Sequence, residues 1–143
     1  MSLARAIETS DPGLLPGRRD EDWRWTDLRG LIRAVPPISP DAQALGASPF
    51  GEEAVVIVNG HPAIQSIAVS AGEARTVALR FVSRTDGTAH HAAVRIEVAA
   101  DASLTLLESY EGQGVGYVAD AALDLRLGDG ARVERGILAA DEA

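Results

Sequence analysis

Hydrophobic positions follow two regimes along the chain. In residues 2–9 (SLARAIET), Leu3, Ala6 and Ile7 recur at helical spacing, which predicts a short helix with one apolar face. Asp11-Pro12-Gly13 ends it, and Pro16-Gly17 marks a second turn. Another short helix is expected near Thr26: Thr26 reads as its N-cap, Asp27 suits the positive end of the helix dipole, and Leu28, Leu31 and Ile32 share a face. Pro36, Pro37 and Pro40 terminate it, because proline lacks the amide donor and clashes with the preceding turn. Residues 36–52 then read as an extended or irregular connector. From Ala54 the period becomes two. Ala54–Val58 (AVVIV) is a β-branched run closed by the turn dipeptide Asn59-Gly60. Alternating positions follow at Ile67/Val69, Val77/Leu79/Phe81, Val94/Ile96/Val98, Leu104/Leu106 and Leu123/Leu125/Leu127. These predict strands of three to five residues. The chain thus divides into a helical and extended region, residues 1–53, and a β core, residues 54–143.

A repeat runs through the strands. Ile67-x-Val69, Ile96-x-Val98 and Leu125-x-Leu127 recur at a spacing of 29 residues. Each is followed by a turn-forming group (Ser70-Ala71-Gly72, Ala99-Ala100-Asp101, Gly128-Asp129-Gly130) and then by another strand, at Arg75–Leu79, Ser103–Leu106 and Arg132–Ile137. Evenly spaced strands fit a β-sandwich. Three equivalents at one spacing favour a solenoid, in which residues one coil apart stack at the same corner. Arg132–Leu138 reads as a strand in mid-repeat without a polar cap, which leads us to expect a longer natural protein or a second chain over that end.

Composition narrows the function. The 143 residues include two Trp, two Tyr, two Phe and one Met, so the core is aliphatic. No apolar run approaches the roughly 20 residues of a membrane span, and no secretory signal pattern opens the chain. With no cysteine, disulfides and thiolate ligands are excluded, and a cytoplasmic location is the expectation. A formal charge of −8 repels phosphate backbones, so neither nucleic acid nor membrane is an expected partner. The arginines at 18, 19, 24, 29 and 33 are interleaved with acidic residues and read as charge-paired surface.

Candidate chemistry is sparse. Adjacent His90 and His91 point to opposite faces of a strand, and His61 stands apart, so the three read as surface residues and not as metal ligands. The glycines of EGQGVGYV, at 112, 114 and 116, have the wrong spacing for a dinucleotide loop and read as a turn before a strand. Ser103 and Ser109 lack a nucleophile elbow. Glu97, Glu108 and Glu111 are read as a solvated outer face, with the less favoured alternative of a polysaccharide-cleaving site on one face of a solenoid. Trp23 and Trp25 lie within Glu21–Leu28 (EDWRWTDL). They read first as anchors of the front segment on the β body, and second as a docking patch for a protein or small ligand. No residue is assigned a catalytic, cofactor-binding or metal-binding role.

Residues Leu15–Leu28 (LPGRRDEDWRWTDL) resemble the entry motif of the SufB/SufD family of iron–sulfur cluster assembly proteins, on the SufD side. Residues 96–107 and 123–138 resemble the coils of that family's β-helix core. The resemblance covers most of the chain and is weakest over 36–53. It implies a mainly β fold, an incomplete right-handed parallel β-helix preceded by a short N-terminal α-helical region, and it implies a non-catalytic scaffold role. Its implied partners are a SufB-like paralogue and a SufC-like ABC ATPase in the full-length protein, with the iron–sulfur cluster handled by the full complex and no cofactor bound by this segment. The short stretch between entry motif and coils leads us to expect an irregular first coil, and the open last coil leads us to expect self-association or fraying.

Overall fold

The computed structural model describes residues 2–40, 49–50 and 54–141. Two short helices, α1 (Leu3–Thr9) and α2 (Leu28–Leu31), precede seven strands: β1 (Val55–Val58), β2 (Ile64–Val69), β3 (Ala74–Ser83), β4 (Ala89–Val98), β5 (Ser103–Gly112), β6 (Val118–Leu127) and β7 (Arg132–Asp141). The protein is mainly β. Odd-numbered strands form one sheet, in the order β1-β3-β5-β7, and even-numbered strands form another, β2-β4-β6. Every pairing is parallel. The chain therefore alternates between the sheets, returning to each beside its previous strand.

The 29-residue spacing seen in the sequence is the register of four of the five pairings: Ile67 lies beside Ile96 and Ile96 beside Leu125, while Ser103 lies between Ala74 and Arg132. Side chains repeat the interval. Phe81 stacks on Tyr110 with ring centroids 5.0 Å apart and planes 7° from parallel, and Arg95 Nε donates to Asp124 at 3.1 Å. One corner also repeats it, since Gly72, Asp101 and Gly130 all take positive φ, at 71°, 57° and 71°. Glycine meets this requirement without a Cβ penalty, and Asp is among the few other residues that tolerate it. The exception is β1, whose Val55 lies beside Leu79, a shorter interval. The first circuit is irregular, as expected.

Strands β3 to β7 are ten residues each, at least twice the length that alternation alone predicted. Their extra residues include Arg80, His90 and Glu108, all buried; each has a partner, so polarity does not end the strand. Between the sheets, Ile57, Val77, Leu79, Val94, Ile96, Val98, Leu104 and Leu106 form one core. Burying a side chain of this kind contributes roughly 1.5–3 kcal/mol.

The front segment is fastened by its polar groups. Ser2 caps α1 by accepting from Arg5 N at 3.2 Å, and Ala6 and Ile7 are buried where α1 meets β4. The N-cap of α2 is Asp27, whose Oδ1 accepts from Gly30 N at 3.1 Å, and not Thr26. The carboxylate one residue later reaches the free amides and also faces the dipole. Of the three positions expected on the buried face of α2, Leu31 is 75% exposed and Leu28 and Ile32 are half-buried, because four residues make too short a helix to press a full stripe on the core. Of the expected connector, Ile38 forms a parallel bridge with Ala89; residues 41–48 and 51–52 lie outside the described residues.

Candidate functional site

An interior space lies between the sheets, where β3 turns into β4 and β5 into β6. It is a cleft of about 470 Å³ whose lining reaches β6 and β7. Its origin is legible rung by rung. Across the middle of the even-numbered sheet the interior rungs are Val94 with Leu123 and Ile96 with Leu125, but the next rung is Ala92 with Ala121. Facing them, the rung Phe81–Tyr110 ends in Ala139. Three alanines stand where larger side chains would close the core.

The polar end of the cleft is built by the following rung, Ser83–Gly112–Asp141. Ser83 Oγ lies 2.9 Å from His90 Nε2, and Tyr117 donates its hydroxyl to Asp141 Oδ2 at 2.9 Å. Gly112 makes this possible: a Cβ there would overlap both the Asp141 carboxylate and the Tyr117 hydroxyl. Burial, with a smaller effect of His61, lowers the His90 pKa, so the imidazole is neutral near pH 7. Burial and the bond to Asp141 raise the Tyr117 pKa, so the phenol stays protonated.

The histidines are not surface residues as a set. His90 is 8% exposed; on the opposite face of β4, His91 Nδ1 lies 3.0 Å from Asp120 Oδ2, and His61 Nε2 lies 3.1 Å from the Ser39 carbonyl. Burial overrode polarity at His90, whose ring found a partner, while His61 and His91 are half-buried. Among the described residues no group of three or more His, Asp or Glu side chains converges as a metal site.

The glutamates likewise do not share a face. Glu108 is fully buried, accepting from Tyr110 at 2.8 Å and from Arg135, including its Nη2 at 3.1 Å. Glu111 lies on the other face of β5, taking Arg80 at 2.7 and 2.8 Å and Ser109 Oγ at 2.7 Å. Glu97 is exposed on β4. This scatter corrects the solvated-face reading and removes the carboxylate pair that a glycosidase-like site requires. Gly114 and Gly116 lie in the β5–β6 turn and β6 follows, whereas Gly112 is the last residue of β5.

In the entry motif, Leu15, Pro16 and Gly17 are buried, Gly17 N donates to Asp20 at 2.8 Å, and Arg29 Nη2 donates to the carbonyls of Gly13 and Leu15 at 2.9 and 3.1 Å. The tryptophans are not the fastening. Trp23 is half-buried, and Trp25 is 86% exposed with the Arg24 guanidinium 4.9 Å from its ring centroid. The aliphatic α1 does the packing instead, which an aromatic-poor sequence conceals. Sequence reasoning also missed Asn59 and Tyr117, whose partners are distant in the chain, and Ser83, whose partner His90 lies across the β3–β4 turn. No model of a known protein family, no curated protein and no solved structure matches the chain.

Proposed function

We propose that the chain is a non-catalytic scaffold segment of SufB/SufD type, nearer to SufD, and that its two sheets are walls of an incomplete right-handed parallel β-helix. The observation that carries this reading is the 29-residue register shared by four of the five strand pairings, in both sheets, the arrangement expected of stacked coils. The entry motif adds support, because its Leu-Pro-Gly and Asp residues fold the front segment upon itself. In this reading β6 and β7, the last strands of their sheets, offer unpaired edges and exposed Leu127, Ile137 and Leu138 to a SufB-like paralogue or a second copy. A SufC-like ABC ATPase and the iron–sulfur cluster belong to the full cytoplasmic complex. The test is a tag at Met1 in the native genome, followed by mass spectrometry of what co-purifies. Recovery of a paralogue and an ABC-type ATPase supports the scaffold; a 15.0 kDa bait recovered with neither sinks it.

A second reading, a module that binds a protein or small ligand through Trp23 and Trp25, is favoured by the exposure of Trp25 beside Arg24, a pair of residue types enriched at binding hot spots. A partner-dependent shift in tryptophan emission supports it, and unresponsive emission counts against it.

A further inference from the structure

We infer that the cleft between the sheets is a binding site for a small flat organic cation, an apolar aromatic body carrying a protonated amine. This stands apart from the scaffold reading, which assigns no ligand to the segment. Size is the first argument: about 470 Å³ lies within the roughly 300–1,000 Å³ range of small-molecule pockets. The walls are the second. Ala92, Ala121 and Ala139 leave room against the stacked rings of Phe81 and Tyr110, a slot whose flat side suits an aromatic body.

Charge selects the head group. Of the acidic residues along the cleft, Asp141 ends the inward-facing rung Ser83–Gly112–Asp141, while Glu111 and Asp120 lie on the opposite faces of β5 and β6, bonded to Arg80 and His91. The buried His90 is held neutral by its desolvation and adds no positive charge. The polar end therefore presents a carboxylate, a phenol oxygen and the Ser83–His90 pair to an incoming group. An ammonium gains hydrogen bonds and charge attraction there, whereas a carboxylate meets repulsion. The walls also place the amine in a partly dehydrated setting, where such attraction is stronger than in water.

The experiment uses two probes with one body and opposite heads, tryptamine and indole-3-propionate, titrated into the full chain. Calorimetry gives Kd, and spectra of protein labelled at alanine methyls locate the site. Tryptamine is expected to bind at least ten-fold tighter than indole-3-propionate, shifting the methyls of Ala92, Ala121 and Ala139. Ala121→Leu fills the slot and weakens tryptamine at least ten-fold; Ala139→Val serves the same purpose should the first variant not fold. Asp141→Asn narrows the preference between the two probes. Equal affinity for the heads, methyl shifts elsewhere, absence of saturable binding, or tryptamine affinity unmoved by filling the slot each overturn the inference.

Discussion

Replacing Arg80 with methionine keeps an unbranched apolar stem and removes the guanidinium that donates to Glu111 at 2.7 and 2.8 Å. The two side chains are 5% and 13% exposed, so water screens the pair weakly. Stranding one member of a buried pair costs about 3–5 kcal/mol. Ser109 Oγ still donates to Glu111 and offsets on the order of 1 kcal/mol. The expected loss near pH 7 is therefore about 3 kcal/mol, which lowers Tm by roughly 10 °C. The same bonds give a pH signature. Hydrogen bonds from Arg80, with a smaller one from Ser109, hold the Glu111 carboxyl below its ordinary value of 4.5 against the opposing effect of burial. A depressed carboxylate stabilises the fold above its unfolded value, and that stability is lost as pH falls through the folded value. In Arg80→Met the depression by Arg80 is gone, so the gap between variant and parent is widest near pH 7 and closes below about pH 4. Urea titrations followed by circular dichroism from about pH 7 to pH 3 measure the gap. A loss under about 1 kcal/mol at neutral pH, or a gap that stays constant in acid, refutes the reasoning.

Asn59 is buried, and its Oδ1 accepts from Arg84 N and Thr85 N at 2.8 and 3.4 Å; Asn59→Ala is expected to cost about 3 kcal/mol in urea unfolding, through amides left without an acceptor. Burial, then the bond to Glu108, pushes the Tyr110 pKa from 10.0 up to about 12. A raised phenol stabilises the fold below the unfolded value, so stability falls between pH 10 and about pH 12, and Tyr110→Phe should flatten that part of the pH profile. Arg135→Met takes a charged donor from buried Glu108, but the arginine side chain is 44% exposed, so the cost is about 1–2 kcal/mol. The double variant Glu108→Met, Arg135→Met should then be more stable than Arg135→Met alone; equal or lower stability by thermal melting would contradict this. Gly112→Ala forces Tyr117 and Asp141 apart, and a spectrophotometric titration should show the Tyr117 phenol moving back towards 10.0.

The two-sheet arrangement was legible because Ile67, Ile96 and Leu125 recur at the register that pairs them. Apolar residues facing a shared core carry their spacing in one dimension, and a parallel ladder turns that spacing into neighbours. The first circuit was only partly legible, since Val55 pairs with Leu79 across a shorter interval and, among the described residues, no earlier strand offers a comparison. Strand ends were hidden for another reason. Arg80, His90 and Glu108 look like surface residues until their partners at Glu111, Ser83 and Arg135 are in place. The cleft was harder still to read. Nothing marks Ala92, Ala121 and Ala139 among the many alanines of this chain, because the space depends on three strands in two sheets meeting at one level. Trp25 shows the reverse failure: hydrophobicity alone assigned it to an anchoring role, whereas the shorter side chains of Ala6 and Ile7 do that work.

The constant register has a consequence for how such a chain tolerates insertions. One residue added within β5 would turn every later side chain of that strand to the wrong face, exchanging Leu104 and Leu106 for Thr105 and Leu107 against the core. The same residue added at the β5–β6 corner, between Gly112 and Val118, lengthens a surface loop and leaves each ladder in step. A whole block of 29 residues, the interval between Ser103 and Arg132, inserts without disturbing either sheet. Length in this architecture is thus quantised: small changes collect at the corners, and large ones arrive as complete circuits. The short first interval, from Val55 to Leu79, shows the corners absorbing a difference of the small kind.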